Sequence, residues 1–218
     1  MEKVLWSTSG SKRQGTHLLV MLHGYGSSEQ AMAKAFPALP PGVTGAALRG
    51  PLDVGGQYGW FLLDPMLNST SSEVLGSAMS LLQCVDRLRA QEDFSSVSVL
   101  GFSQGMAMAV AALRLRPKLF TAAVGLSGFI VEDDLLAGAE PLPDPVPFFW
   151  GRDRADWVIH SDAIASSEEW LHKNTALTAR TYPGMGHTIG QEELRDVGIF
   201  LRRYLLQDPR RKAAGAES

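Results

Sequence analysis

The sequence lacks several features by which whole classes of protein are known. Its 218 residues include one cysteine, Cys84, so neither an internal disulfide nor a thiolate metal cluster can form. Apolar runs such as 18–22 fall far short of the roughly 20 residues that span a bilayer. Residues 1–16 contain no apolar stretch of roughly 7–15 residues such as a secretory signal carries. Together these absences predict a cytoplasmic protein without membrane insertion.

An excess of one charge is also missing. The 20 basic and 23 acidic residues give a formal net charge of −3, which predicts no nucleic-acid partner and no attachment to an anionic membrane. A chain of this length buries roughly 70% of its unfolded surface, so its core needs no disulfide or metal. We expect one domain over residues 1–206 and a polar tail over 207–218, with the oligomeric state left open.

What the sequence does contain is an alternation of short apolar runs with segments of helical period. Apolar residues recur at three- and four-residue steps over 73–90 and 194–204, and the Ala- and Leu-rich segment 103–116 stops before Pro117. Strands are predicted at His17–Met21, Thr44–Leu48, Val97–Leu100, Ala122–Leu126, Val146–Trp150 and Thr178–Tyr182. This alternation predicts an α/β fold with a mainly parallel central sheet and helices on both faces.

Two segments stand outside this alternation. Met1–Trp6 is predicted to add an antiparallel strand at one edge of the sheet. Pro51–Thr70, rich in glycine and aromatic residues, is interpreted as a long ordered loop. Loops of that length are uncommon in compact domains and are often functional.

A candidate nucleophile stands where a predicted strand meets a predicted helix. Gly101-Phe102-Ser103-Gln104-Gly105 has the pattern G-x-S-x-G between strand and helix, the context in which such a serine is exposed on a strained turn. A Cβ at either flanking position would strike a neighbouring element, so glycine is needed at both. The pattern alone arises often by chance, and the flanking strand and helix therefore carry the assignment of Ser103.

A serine hydroxyl needs a base to take its proton and a carboxylate to orient that base. In folds with a G-x-S-x-G serine between strand and helix, these partners follow in the order Ser, Asp, His, each on a loop after a strand. His187 lies in such a loop between small residues and is predicted to be the base. Asp153 and Asp156 share the loop after the strand at 146–150, and the pattern leaves both open as the acid.

The negative charge of a tetrahedral intermediate needs two positioned hydrogen-bond donors. One is predicted to be the backbone N–H of Gln104, the residue after the candidate nucleophile. The other is expected from the turn after the strand at 17–21, where Tyr25 is the best candidate. His23, in the same turn, is interpreted as a structural residue that fixes the turn by hydrogen bonds.

Four motifs in this order resemble the phospholipase/carboxylesterase family of serine hydrolases, to which acyl-protein thioesterases belong. They are HGYG at 23–26, GFSQG at 101–105, the G-x-x-x-x-D-x-V-I loop at 151–159 and GMGH at 184–187. The resemblance runs from about Leu18 to Tyr204 and includes RGP at 49–51 and GWF at 59–61. It implies an α/β-hydrolase fold without a cap domain.

Position by position, the resemblance makes Ser103 the nucleophile, His187 the base, and the Tyr25 and Gln104 amides the oxyanion donors. In the acid loop the family register falls on Asp156. Two departures keep Asp153 as an alternative: the loop is two residues longer than the common form, and position 160 is histidine where the family usually has proline.

The implied activity is hydrolysis of short- to medium-chain carboxylic esters through an acyl-enzyme, with neither metal nor organic cofactor. Large apolar side chains in the loops around the site are predicted to form an acyl groove, although each could equally be a packing residue. They are Trp60, Phe61, Met66, Met106 and Met185. The alternatives on the same triad are thioester or lysophospholipid cleavage and acyl transfer to peroxide or an amine. A non-catalytic binding protein of the same fold is the remaining alternative.

Overall fold

The computed structural model describes residues 3–64, 69–131, 136, 142 and 144–205. A seven-stranded sheet forms its centre, in the spatial order β1, β3, β2, β6, β7, β8, β9. In chain order these strands are β1 (Val4–Trp6), β2 (His17–Leu22), β3 (Val43–Leu48), β6 (Ser96–Phe102), β7 (Ala123–Leu126), β8 (Val146–Arg152) and β9 (Thr175–Thr181). A separate pair, β4 (Leu52–Val54) and β5 (Gln57–Gly59), forms a small antiparallel hairpin.

The predicted α/β class is confirmed by this sheet. Every pairing from β3 to β9 is parallel, and β1 pairs antiparallel with β3 at the edge, as the sequence predicts. All six predicted parallel strands are present, with bounds that differ by up to three residues. The long apolar runs thus mark strands that are covered on both faces, as β2 is along its whole length.

Helices cover both faces of the sheet. They are α1 (Glu29–Ala33), α2 (Ser71–Gln91), α3 (Gln104–Leu115), α4 (Ser161–Asn174) and α5 (Gln191–Leu205). Alternate residues of β2 enter two separate cores: Leu18 and Val20 face α2 and α3, whereas Leu19 and Met21 face the side of α1 and α5. The start of α2 is fixed by a capping box in which Thr70 and Glu73 exchange hydrogen bonds.

The segment 51–70 is not simply a loop, and this expectation is corrected. Its first part is the β4–β5 hairpin, whose turn is made by Gly55 and Gly56 at φ 61° and 83°. Glycine adopts these angles without steric cost, so the pair permits a tight reversal. Tyr58 of β5 exchanges two backbone hydrogen bonds with Ser27, which docks the hairpin against the turn after β2.

Some predictions fall outside the part of the chain that the structure describes. Met66, one of the predicted groove residues, and the predicted tail at 207–218 lie there. Across the described ranges, no helix combines the length and hydrophobicity that a bilayer crossing requires.

Candidate active site

Ser103 occupies a sharp turn between the end of β6 and the start of α3. Its backbone lies at φ 54° and ψ −120°, a region that non-glycine residues rarely adopt. Its N–H donates to the carbonyl of Leu126 at 2.9 Å, and its carbonyl accepts from the N–H of Met106 at 2.9 Å. These bonds to β7 and α3 hold the residue in its unfavourable conformation at the carboxyl edge of the sheet.

The two glycines that flank this turn are sterically required. A Cβ on Gly101 would overlap the backbone of Gly105 in the first turn of α3. A Cβ on Gly105 would overlap the carbonyl of Leu22 at the end of β2 and lie 2.8 Å from the carbonyl oxygen of His23. Helix α3 can therefore approach β2 and β6 closely only because positions 101 and 105 carry no Cβ, as the sequence predicts.

Substitution of Gly105 by alanine should therefore damage the fold. The clash involves backbone atoms of β2 that cannot rotate away, so we expect Gly105→Ala to cost about 3 kcal/mol or more. Gly76→Ala is the matched control, because Gly76 lies in the exposed middle of α2 with no atom near its would-be Cβ. That control should gain up to about 1 kcal/mol. Urea unfolding of both variants measures the difference, and equal stability would contradict the close approach.

Three residues far apart in sequence form a hydrogen-bonded chain at this turn. His187 Nε2 lies 3.1 Å from Ser103 Oγ, and His187 Nδ1 lies 2.8 Å from Asp156 Oδ2. The Asp156 carboxylate is shielded from solvent, whereas the imidazole keeps 14% exposure. The ring of Phe102 packs against the imidazole with 5.1 Å between centroids. The structure thus brings together Ser103, His187 and Asp156, the three side chains that the sequence and the resemblance predict as nucleophile, base and acid.

The two aspartates of the acid loop face different groups. Asp156 Oδ1 accepts from the N–H of Val158 at 2.8 Å and of Ile159 at 3.3 Å, which leaves Oδ2 for His187. Asp153 instead accepts from the N–H of Gly186, immediately before the histidine, at 2.8 Å, and from that of Ala155 at 2.9 Å.

These backbone hydrogen bonds hold the pKa of Asp153 below its usual range. Asp153 therefore links the acid loop to the histidine loop and does not touch the imidazole. Sequence reasoning missed this role, because the pattern shows two aspartates but not the direction that each side chain takes. Trp157 adds a second link between the loops, because its indole ring packs against Gly186. A Cβ on Gly186 would lie 2.5 Å from the Trp157 ring.

The turn after β2 approaches the candidate nucleophile. A Cβ on Gly24 would lie 3.2 Å from Ser103 Cβ, and the Tyr25 ring packs over Gly59 of β5. Gln104 is the first residue of α3, so its N–H belongs to the unpaired first turn of a helix. That the Tyr25 and Gln104 N–H groups point at a substrate oxygen stays a prediction.

His23 is fully buried and fixes this turn. Its Nδ1–H donates to the carbonyl of Gly24 at 2.7 Å, and its Nε2 accepts from the N–H of Gly50 at 2.9 Å. Burial lowers the pKa of His23 and so favours the neutral imidazole that can donate and accept at once. The interpretation of His23 as a structural residue agrees with these contacts.

Gln104 also has a structural role that the sequence does not show. Its side-chain Oε1 accepts from the N–H of Trp60 at 3.0 Å, and its Nε2 donates to the carbonyl of Phe61 at 2.7 Å. Trp60 Nε1 in turn donates to the carbonyl of His23 at 2.8 Å. The segment after the hairpin is therefore fixed directly beside the candidate nucleophile.

The predicted groove residues differ in the solvent exposure of their side chains. Trp60, Phe61 and Met106 are buried, and the Met106 side chain fills the space over Gly125 and Gly128. Met185 is half-buried in the loop before His187. Contact of any of these four side chains with an acyl chain stays a prediction.

A buried ion pair supports the hairpin from the other side. Glu29, fully buried on α1, receives hydrogen bonds from Arg49 Nε at 2.7 Å and Arg49 Nη2 at 2.6 Å. Arg49 Nη1 also donates to the hydroxyl of Tyr58 at 2.8 Å. Burial alone would raise the pKa of Glu29, but the Arg49 guanidinium outweighs it and lowers the pKa. The pair ties the RGP segment at 49–51 to α1, and this contact between distant residues could not be predicted from the sequence.

An apolar pocket of about 250 Å³ is lined by residues that include Phe102 and Thr188, the chain neighbours of Ser103 and His187. It lies between α1, the end of β6 and the loop that follows His187. Its walls include Gly24, Met32, Phe102, Ile189 and Leu194. The pocket therefore borders both the turn after β2 and the histidine loop.

Behind the histidine loop, Glu193 lies fully buried at the start of α5. Its Oε2 accepts from the N–H of Gly190 at 3.3 Å, and its carboxyl packs against the backbone of Gly151. Burial raises the pKa of Glu193 to about 8 from an ordinary value of 4.5. At neutral pH the folded protein therefore keeps this carboxyl protonated.

This shifted pKa predicts a loss of stability as pH rises. Between pH 4.5 and about 8 the unfolded chain releases the Glu193 proton while the folded chain retains it. The free energy of unfolding should therefore fall by up to about 1.4 kcal/mol per pH unit from this group. Glu193→Gln should flatten that slope, whereas Glu192→Gln, at an exposed neighbouring position, should not. Denaturant unfolding at several pH values tests this, and parallel pH profiles for wild type and Glu193→Gln would contradict it.

The parallel sheet, the strained serine at the end of β6 and the following helix define the α/β-hydrolase fold. Comparison with known families agrees with this fold and identifies one family within it. The model of the Phospholipase/Carboxylesterase family matches residues 7–205, and the chain belongs to that family.

The curated relatives are distant. Carboxylesterase SOBER1 of Arabidopsis thaliana is 25% identical over 62% of this chain and 60% of its own length. Acyl-protein thioesterase 1 of Candida albicans is 34% identical over 47% of each chain. The chain spans about half the length of the curated relatives it matches.

Solved structures match over nearly the whole chain. The crystal structure of esterase PE8 superposes with a TM-score of 0.75 at 25% identity, covering 93% of this chain and 98% of that one. The structure of YahD with malic acid superposes with a TM-score of 0.77 at 19% identity, covering 94% and 100%. The latter likeness establishes the fold alone.

Proposed function

We propose that this protein is a serine hydrolase that cleaves carboxylic esters through an acyl-enzyme. The observation that carries the proposal is the hydrogen-bonded chain in which His187 lies 3.1 Å from Ser103 Oγ and 2.8 Å from Asp156. A base within reach of a hydroxyl, itself oriented by a carboxylate, is the arrangement that activates a serine.

In the first half-reaction, His187 Nε2 takes the proton of Ser103 as Oγ bonds to the carbonyl carbon of the ester. The carbonyl π electrons move to oxygen, and the N–H groups of Tyr25 and Gln104 stabilise the resulting oxyanion. Asp156 holds the Nδ1 proton in place and stabilises the imidazolium. Collapse of the intermediate breaks the bond to the alcohol oxygen, which leaves with the proton from His187.

In the second half-reaction, water takes the place of the alcohol. His187 accepts a proton from water as its oxygen bonds to the acyl carbon, and a second oxyanion forms at the same two N–H groups. Its collapse breaks the bond to Ser103 Oγ, which recovers its proton from His187. The carboxylic acid is released, and the enzyme returns to its starting state without any cofactor.

The apolar pocket beside Gly24 and Phe102 supports a preference for acyl-chain length. Its volume of about 250 Å³ lies just below the range of about 300–1,000 Å³ that is usual for ligand pockets, which favours short- to medium-chain acyl groups. A thioester would follow the same bond changes with a thiol as leaving group. The names of the relatives include both carboxylesterase and acyl-protein thioesterase, so thioester hydrolysis is the second candidate activity.

Rapid mixing with p-nitrophenyl esters of increasing chain length tests the proposal. We expect a burst of p-nitrophenol close to the enzyme concentration when deacylation is slow, and the highest kcat/KM for short or medium chains. Thioesters with the same acyl groups form the parallel series and rank the two activities. Failure of folded protein to hydrolyse either series would contradict the proposal.

A further inference from the structure

A second pocket lies on the opposite edge of the sheet, between β8, β9 and α4. It encloses about 350 Å³, and none of its lining residues belongs to the chain of Ser103, His187 and Asp156. Its walls include Trp150 and Arg152 from β8, Arg154 from the acid loop, Glu168 from α4 and Arg180 from β9. Three of these five side chains are arginines.

The buried part of this pocket carries hydrogen-bond donors without acceptors. Arg152 is only 4% exposed, and neither of its terminal nitrogens, Nη1 and Nη2, has a hydrogen-bond partner among the described residues. The same holds for the indole Nε1 of Trp150, which is 2% exposed. Arg152 Nε does donate to the carbonyl of Asp153 at 3.1 Å, and its guanidinium lies 5.3 Å from the Trp150 ring centroid.

Such an arrangement is energetically costly unless something compensates it. A buried guanidinium that keeps its charge but lacks acceptors loses hydration worth several kcal/mol. In agreement, burial lowers the pKa of Arg152, although the neighbouring Asp156, Glu168 and Asp153 act in the opposite direction. Neither Glu168 nor the two aspartates accept a hydrogen bond from Nη1 or Nη2. An acceptor that enters from the pocket would supply the missing partner.

The charge and the number of donors specify what that acceptor is. Arg154 and Arg180 are exposed at the pocket, and with Arg152 they outnumber the single carboxylate of Glu168 there by three to one. Arg152 Nη1 and Nη2 carry two N–H bonds each and Trp150 Nε1 carries a fifth, one more than the roughly four lone-pair sites of a carboxylate, whereas a phosphate offers more acceptor sites. The planar guanidinium also matches phosphate oxygens in a bidentate manner.

We propose that the Arg152 pocket is a binding site for a phosphate-type oxyanion, either free phosphate or the phosphate group of an organic phosphomonoester. Arg152 and Trp150 hold the oxyanion at the floor of the pocket, and Arg154 and Arg180 add positive charge at its mouth. The site lies beside the acid loop, and the charges of Arg152 and Asp156 interact, but binding of the oxyanion does not require the proposed ester hydrolysis.

Isothermal titration calorimetry with sodium phosphate, at ionic strength held constant with sodium chloride, tests the site. Wild type should bind one phosphate, Arg152→Met should lose this binding, and Arg180→Gln should weaken it about two- to fivefold. Arg195→Gln, an equal charge change at an exposed position on α5, should bind like wild type. Sodium malonate should bind more weakly than phosphate.

A second measurement separates a lost site from a misfolded variant. Replacing an unpaired buried charge by an apolar side chain of similar size removes a desolvation cost. Arg152→Met should therefore unfold at the same temperature as wild type or higher in phosphate-free buffer, and added phosphate should raise the unfolding temperature of wild type alone.

The titration with glycerol 3-phosphate identifies the source of the oxyanion. Tighter binding than inorganic phosphate assigns the pocket to an organic phosphomonoester, and weaker binding assigns it to the free ion. Three results would overturn the site: no phosphate binding by wild type, equal binding by wild type and Arg152→Met, or tighter binding of malonate than of phosphate.

Discussion

Replacement of Ser103 by alanine is expected to lower kcat for ester hydrolysis by about 10⁵-fold or more, with little change in KM. In the proposed mechanism Ser103 Oγ is the atom that forms the acyl-enzyme, and no other hydroxyl is hydrogen-bonded to His187 in the described part of the chain. His187→Ala should lower kcat by a similar factor, because the Ser103 hydroxyl keeps its proton when the base is missing. The double variant should be hardly worse than either single one, since the two residues act as one unit.

The control for Ser103→Ala and His187→Ala removes a hydroxyl elsewhere in the fold. Ser80→Ala, on the exposed face of α2, should leave turnover unchanged. Circular dichroism and thermal unfolding should show Ser103→Ala to be as stable as wild type or more so, since residues that serve catalysis at a strained turn are seldom optimal for stability. A loss of only about tenfold in Ser103→Ala would contradict its role as nucleophile.

Asp156→Asn is expected to lower kcat by about 10⁴-fold. The asparagine oxygen can still accept from Val158 and Ile159, so the loop should stay folded. Its amide nitrogen would then face His187 Nδ1, which must become an acceptor and leave the proton on Nε2. That tautomer cannot take a proton from Ser103.

Asp153→Asn is the matched control, because it is the same change in the same loop. Asp153 accepts hydrogen bonds from backbone N–H groups and does not contact the imidazole, so we expect a much smaller loss in kcat. Its amide would oppose one of those N–H groups, which should show as lower thermal stability. Steady-state kinetics of both variants measure the ratio, and a larger loss from Asp153→Asn would reassign the acid.

The sequence predicts the architecture well because its signals are local. Apolar runs that are buried on both faces give the positions of β2, β6 and β8, and Pro117 marks the end of α3. The two glycines around Ser103 are predicted with a reason that the structure supports, since each excludes a side chain from one close backbone approach. Gly101 faces Gly105 only four residues further along, and Gly105 faces the end of β2, the strand that pairs with β6.

Features that depend on side-chain direction were not predictable in the same way. The choice between Asp153 and Asp156 depends on which way each carboxylate turns within one loop, and the residue pattern is compatible with either. The clamp made by the Gln104 side chain and the bond between Glu29 and Arg49 join segments that only the folded chain brings together. The hairpin at 52–59 was missed because its aromatic and glycine-rich composition also suits a loop.

Covalent labelling with a fluorophosphonate tests most directly whether Ser103 is an activated nucleophile. Mass spectrometry of digested protein should find one phosphonyl adduct, located on Ser103, with ester hydrolysis lost in proportion to labelling. Labelling should disappear in Ser103→Ala and become far slower in His187→Ala, because the hydroxyl then lacks its base. An unlabelled but folded wild type, or an adduct on another residue that accounts for the loss of activity, would contradict the proposed mechanism.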